Sequence, residues 1–259
     1  MTANDSRRSV LVFANNEEVT DFMIRKWKEL SAEAFHARSI FVAALSGGST
    51  PRDFYRDLAG IADRNIWSGT HIFMADERYV SFTDADSNYR MLSELLLDRV
   101  PIPLENRHPV PVQEKTLERA AENYEAAITS FFKLRKKELP EFDLIMLGLG
   151  EDGHTASLFP GHNALKEKKH LVYPVKNAPK KHHRLTLTLP VINNARNIIF
   201  LVTGKEKANA VREVVEERNP SLPASMIRPE GGNLSFVMDC KAASLLSPEF
   251  RYASETVVQ

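Results

Sequence analysis

Residues 39–59 read SIFVAALSGGSTPRDFYRDLA. SIFVAAL (39–45) is an apolar run of strand length. Gly47 and Gly48 follow, and they admit backbone conformations and close approaches that other residues resist. Thr50 suits a helix N-cap and Pro51 the first helical position, so PRDFYRDLA (51–59) opens a helix. Strand, glycine turn and helix in that order form the repeating unit of an α/β protein.

The alternation runs along the chain. SVLVFA (9–14) reads as a strand. Asn15 or Asn16 caps a helix to about Ala37, with apolar Val19, Phe22, Met23, Ile24, Trp27 and Leu30 near helical spacing. HIFMA (71–75) is a strand ending in DERYV. Residues 87–100 and 116–138 read as helices, and FDLIMLGLG (142–150) as a strand ending in glycines. HRLTLTL (183–189) and NIIFLVTG (197–204) are strands, and KEKANAVREVVEE (205–217) is a helix. NLSFVMD (233–239) is the last strand and CKAASLL (240–246) a short last helix. Continuous apolar strands between helices indicate a doubly wound, mostly parallel sheet with helices on both faces. No repeat or linker interrupts residues 1–259, so a single α/β domain is expected. The longest excursion is the loop 160–182, and KLRKKE (133–138) reads as a solvated charge run.

Lysine and arginine number 34, as do aspartate and glutamate. With a pI near 7.1, no global field favours nucleic acid or an acidic membrane. The single cysteine, Cys240, excludes a disulfide within the chain and points to a cytoplasmic setting. MTANDSRRSV lacks the apolar core of a secretion signal, and no run reaches membrane-spanning length. A soluble monomer or small homo-oligomer is expected.

In open α/β sheets, ligands bind beyond the carboxyl ends of the strands. Three polar clusters fall at such ends. In SGGST, the helix start offers N–H groups and a partial positive charge to an anion, with hydroxyls from Ser46, Ser49 and Thr50. An ordinary capped turn reads equally well there. In DER, Arg78 can neutralise a phosphate or oxyanion, or order Asp76 or Asp152, unless it forms a plain interior ion pair. In GLGEDGHTAS (148–157), Asp152 stands two residues before His154. An aspartate so placed can fix a histidine's tautomer and raise its basicity, which makes a general base for water. No second histidine stands at metal-ligand spacing, so no metal is expected. Arg184, after His182 and His183, is a further candidate anion binder. So is Lys205 or Lys207 in GKEKA (204–208). Ser157 lacks a GxSxG context and is not read as a nucleophile.

ALSGGSTP, ADERYV, SNYRM, LGLGEDGHTASLFPG, HRLTLTLPVIN, FLVTGKEKA and PASMIRP occur in this order between about residues 44 and 229. Together they resemble the 6-phosphogluconolactonases, within the larger group that includes glucosamine-6-phosphate deaminases. The resemblance implies hydrolysis of 6-phospho-D-glucono-1,5-lactone to 6-phosphogluconate in the oxidative pentose phosphate pathway, with no metal or organic cofactor. It implies that His154 is the general base, with Asp152 beside it. It also implies that Ser46, Gly47, Gly48, Arg78, Arg184 and Lys207 form the anionic-substrate site.

Two other readings compete. The deaminases resemble the chain at DGH but carry a carboxylate a few residues on. Here TASLFPG follows His154, and no acid occurs before Glu167. A sugar-phosphate sensor would need a DNA-binding segment, and only eight residues precede SVLVFA.

Overall fold

The computed structural model describes residues 7–61, 63–179 and 181–251. MTANDS, part of the stretch read above for a leader, lies outside them, as does Lys180 of the loop 160–182. Ten strands occur among the described residues: β1 (Arg8–Phe13), β2 (Phe41–Leu45), β3 (Thr70–Met74), β4 (Asp76–Arg78), β5 (Arg107–His108), β6 (Leu144–Leu147), β7 (Val172–Val175), β8 (Arg184–Leu187), β9 (Asn197–Val202) and β10 (Asn233–Asp239). The helices are α1 (Asn16–Arg38), α2 (Arg52–Leu58), α3 (Arg64–Ser68), α4 (Asn88–Leu92), α5 (Leu117–Phe132), α6 (Leu189–Asn193), α7 (Ala208–Val211) and α8 (Pro248–Arg251). Wider π turns extend α4 over Ser93–Leu97 and α7 over Arg212–Glu216.

Seven strands form one parallel sheet in the order β1-β10-β9-β6-β2-β3-β5. From β2 the chain moves outward to β3 and β5. From β6 it moves the other way, to β9 and β10. The order therefore reverses between β2 and β6, and the crevice at such a switch point is where doubly wound sheets bind ligands. All five residues of β2 are buried, as are all four of β6. Apolar runs without alternation are what a strand covered on both faces requires. α1 packs on β1, β2, β10 and α2, with Trp27 meeting Phe41 edge to face at 4.9 Å. Asn15 caps α1 by accepting from the Glu18 N–H, and Ser39 closes it in a left-handed conformation.

The structure departs from the sequence expectations in several places. HRLTLTL does not join the main sheet, and DER is itself a strand rather than a strand end. β4, β8 and β7 form a separate antiparallel sheet. Ala75 passes the chain between the two sheets: its N–H donates to the Leu45 carbonyl (2.9 Å), and its own carbonyl accepts from the Leu187 N–H (2.9 Å). β7 lies inside the segment expected to be a loop. The Glu125 carboxylate of α5 pins its start, accepting from the Leu171 and Val172 N–H groups at 2.9 and 3.3 Å.

The helix expected over 116–138 stops at Phe132, because Lys133 adopts φ 53° and turns the chain out. KLRKKE then lies outside the helix and is largely exposed. Residues 240–246 form turns rather than a helix, with the Asp239 carboxylate accepting from Ala242 N–H (2.8 Å). Thr50 does not cap α2. Pro51 occupies the cap position, and no side chain caps the helix there.

Candidate active site

Four adjacent strands deliver the polar clusters to one cleft. SGGST follows β2, GLGEDGH follows β6, DER follows β3, and GKEK follows β9. The cleft lining includes Ser46, Gly47, Gly48, Ser49, Thr50, Asp76, Arg78, His154, Arg184 and Lys207. Every expected site residue is thus brought together except Asp152, which stands behind His154. Lys207 reaches the cleft and Lys205 does not.

The loop after β6 is held by its own atoms. The Gly150 N–H donates to the His154 carbonyl (2.8 Å), and the Gly153 N–H to the Gly150 carbonyl (3.0 Å). The Thr155 hydroxyl donates to the Gly148 carbonyl (2.9 Å). Asp152 accepts from the His154 backbone N–H (3.2 Å) and bonds to the ring at Nδ1. A Cβ on Gly150 would overlap His154 Nδ1, so the tight turn needs glycine there. Desolvation raises the Asp152 carboxyl, yet the hydrogen bonds and charge of His154 outweigh it, and its pKa lies below the ordinary value. Asp152 is therefore an anion that accepts. A neutral imidazole facing that anion holds its proton on Nδ1 and its lone pair on Nε2. Phe159 lies beneath the imidazole, with ring centroids 4.8 Å apart.

The cationic wall is built by the small sheet. Arg78 and Arg184 are direct partners in the antiparallel pairing of β4 with β8. Like charges directly opposite destabilise a sheet, so this arrangement favours an anion between or beside them. Arg184 is 8% exposed, and its guanidinium carbon lies over the Phe159 ring, 5.7 Å from the centre. Burial pushes its guanidinium below the usual pKa, Asp76 opposes that shift, and Arg78 adds to it. Arg78 donates from Nη1 to the Asp86 carbonyl (2.6 Å), a neutral partner rather than Asp76 or Asp152. The Nε groups of both arginines and the Ser46 hydroxyl are buried without hydrogen-bond partners. Buried donors of this kind are costly unless an acceptor arrives.

Asp76 is buried and accepts from the Ser157 hydroxyl at 2.6 Å. Ser157 is thus a structural partner. His182 bonds to the Asp86 carboxylate (2.8 Å), and neither His182 nor His183 lines the cleft. Gly204 turns with φ 99°, and its N–H donates to the Asp239 carboxylate (3.1 Å), which sets the start of the segment carrying Lys207.

Sequence reasoning missed Asn88. It lines the cleft, is 2% exposed, and donates from Nδ2 to the Asp76 carbonyl at 3.0 Å. Its Oδ1 lies where a Cβ on Gly47 would stand, so the Gly47 requirement comes from Asn88. The available signal was SNYRM itself, a polar pair at a helix start with nothing to place it near residue 47. Among the described residues, no group of three or more His, Cys, Asp or Glu is placed to hold a metal ion. Among them, no helix is long and apolar enough to cross a membrane.

The family model described as glucosamine-6-phosphate isomerases/6-phosphogluconolactonase matches residues 14–236. A 6-phosphogluconolactonase of Synechocystis sp. is 44% identical over 207 residues, covering 79% of this chain and 84% of that one. One from Rattus norvegicus is 36% identical over 253 residues, covering 93% and 95%. The solved 6-phosphogluconolactonase of Trypanosoma brucei superposes with a TM-score of 0.81 at 33% identity, over 93% of this chain and 99% of that chain.

Proposed function

Because the chain belongs to the glucosamine-6-phosphate isomerase/6-phosphogluconolactonase family, we propose that it hydrolyses 6-phospho-D-glucono-1,5-lactone to 6-phospho-D-gluconate. The observation that carries this reading is one cleft holding a carboxylate-oriented histidine and two facing arginines. A lactone is a cyclic ester, and its hydrolysis needs an activated water at one end. A phosphorylated substrate needs cations at the other.

His154 Nε2 takes a proton from water as the oxygen adds to the lactone carbonyl carbon. The tetrahedral intermediate then collapses, the bond from that carbon to the ring oxygen breaks, and the imidazolium returns the proton to the departing oxygen. Asp152 supports the imidazolium charge between the two steps. Such a base contributes ~10²–10⁴-fold, and a positioned donor to the oxyanion ~10²–10³-fold. Glycine-loop N–H groups or Arg78 fill the second role. Arg184, Lys207 and the Ser46–Thr50 loop hold the anionic end. No step calls for a metal or an organic cofactor. The product suits the oxidative pentose phosphate pathway and a cytoplasmic setting.

A deaminase needs a further acid near the histidine. Glu167, the first acid after His154, turns its carboxylate to the Lys168, Lys169 and His170 N–H groups and is absent from the cleft lining. That observation favours hydrolysis. The test generates the lactone in place from glucose 6-phosphate and follows its loss against the spontaneous rate, with ammonia release from glucosamine 6-phosphate measured in parallel. Faster lactone loss without ammonia is expected. Ammonia release with lactone loss at the spontaneous rate would overturn the proposal.

A further inference from the structure

We propose that Glu77, which does not line the cleft, is the positioning residue that fixes its anion-binding half; the proposal rests on the hydrolase reading above. Glu77 lies between Asp76 and Arg78 on β4. Alternation along the strand sends those two toward the cleft and Glu77 away from it. It is completely buried.

Its carboxylate collects four donors. Oε1 accepts from the Arg78 N–H and the Asn88 N–H, each at 2.7 Å. Oε2 accepts from the Tyr89 N–H (2.7 Å) and the Ser87 hydroxyl (3.2 Å). Ser87 accepts in turn from the Arg90 N–H (3.1 Å), capping α4. The carboxylate therefore ties the start of α4 to the strand that carries Arg78. Burial pushes Glu77 up to about 7, against the downward pull of the three backbone N–H groups. In its ionised form the group is acceptor-only with two oxygens and matches this set of donors, as an amide or hydroxyl does not.

The consequence reaches the cleft through Asn88. With its N–H held by Glu77, Asn88 places Nδ2 on the Asp76 carbonyl and Oδ1 against Gly47. One buried carboxylate thus sets the spacing between the Ser46–Thr50 loop and the Asp76–Arg78 strand. The turn at 148–155 that carries His154 is closed chiefly by its own bonds, and the loop meets this chain of contacts only farther on, where the Ser157 hydroxyl donates to Asp76.

Glu77→Gln preserves volume and turns an amide NH₂ against one pair of donors. In the full chain, KM for the lactone is expected to rise roughly tenfold or more. kcat should change by a smaller factor than KM, because the bonds that orient the His154 ring do not include Glu77. A merely structural role would reduce the folded fraction, lowering kcat with KM unchanged, and that result overturns the proposal. Should Glu77→Gln fail to fold, Asn88→Ala cuts the same chain one link on. The same KM rise is expected, and an unchanged KM overturns it. Calorimetric titration with 6-phosphogluconate reads the effect without turnover. Kd should rise by the same factor, and equal Kd values contradict the role. If the wild-type chain leaves the lactone at its spontaneous rate, the hydrolase reading falls alone, and the Kd comparison still decides Glu77.

Discussion

Two glycine loops face each other across the crevice between β2 and β6, and they differ in how far their own bonds shape them. The turn at 148–155 is closed chiefly by its own bonds, among Gly148, Gly150, Asp152, Gly153, His154 and Thr155, with the Ala224 N–H on the Gly153 carbonyl (3.1 Å) and, beyond the turn, Ser157 on Asp76 as outside ties. The loop at 46–50 is shaped by distant parts of the chain. Tyr55 donates its hydroxyl to the Ser46 carbonyl (2.6 Å), and Asn88 packs its amide on Gly47. A turn closed chiefly by its own bonds suits the role proposed for His154, which must meet a reacting atom in one geometry. A loop held from outside suits a broad anion site, whose walls come from four strands.

The comparison breaks most visibly at His154. His154→Ala should lower kcat by ~10²–10⁴-fold, with a melting temperature close to wild type, since the loop's other bonds remain. A kcat near that of wild type would remove the general base. Next in size is Arg184→Ala, expected to raise KM by roughly tenfold or more, since a charge-assisted partner of the anion is lost. Its melting temperature should hold or rise, because Arg184 faces Arg78 across the strand pair. A non-phosphorylated gluconolactone cleaved as well as its phosphate ester would contradict the assignment.

The smallest effect lies away from the cleft and measures how far it is insulated. His71 and His108 share a ring-to-ring hydrogen bond at 3.2 Å, and His108 stacks on Phe73. Desolvation, then the charge of His71, pushes His108 down to about 4. The fold therefore favours neutral His108. Its contribution to stability is full above the unfolded value of about 6.5 and is lost as pH falls toward 4. Thermal melts from pH 7 to 4 should show this decline, and His108→Phe should flatten it. An unchanged slope in the variant would exclude the pair as its source.

The same contrast explains what the sequence made legible. Asp152 and His154 are two residues apart, and their bond needs only a tight turn that three nearby glycines announce. The parallel strands of the main sheet were readable because burial on both faces leaves uninterrupted apolar runs. The β4–β8 pairing joins residues 78 and 184, and nothing local marks an antiparallel partner so far along the chain. Arg78 and Arg184 were each readable as candidates, but their opposition was not. Asn88 and Glu77 escaped for the same reason, since their roles exist only once α4 and β4 meet. Pro51 looked like a first-turn proline and Thr50 a cap. In the fold Pro51 itself takes the cap position, one residue later than the sequence pattern suggests.

The division of labour between the loops is tested most directly by placing one methyl group in each. Gly150→Ala drives a Cβ into His154 Nδ1, and Gly47→Ala drives one into Asn88 Oδ1. Both variants are assayed on the same lactone preparation for kcat and KM. Gly150→Ala is expected to lose kcat with KM little changed, and Gly47→Ala to raise KM with kcat largely kept. The reverse pattern, or an equal loss of kcat in both, would contradict it.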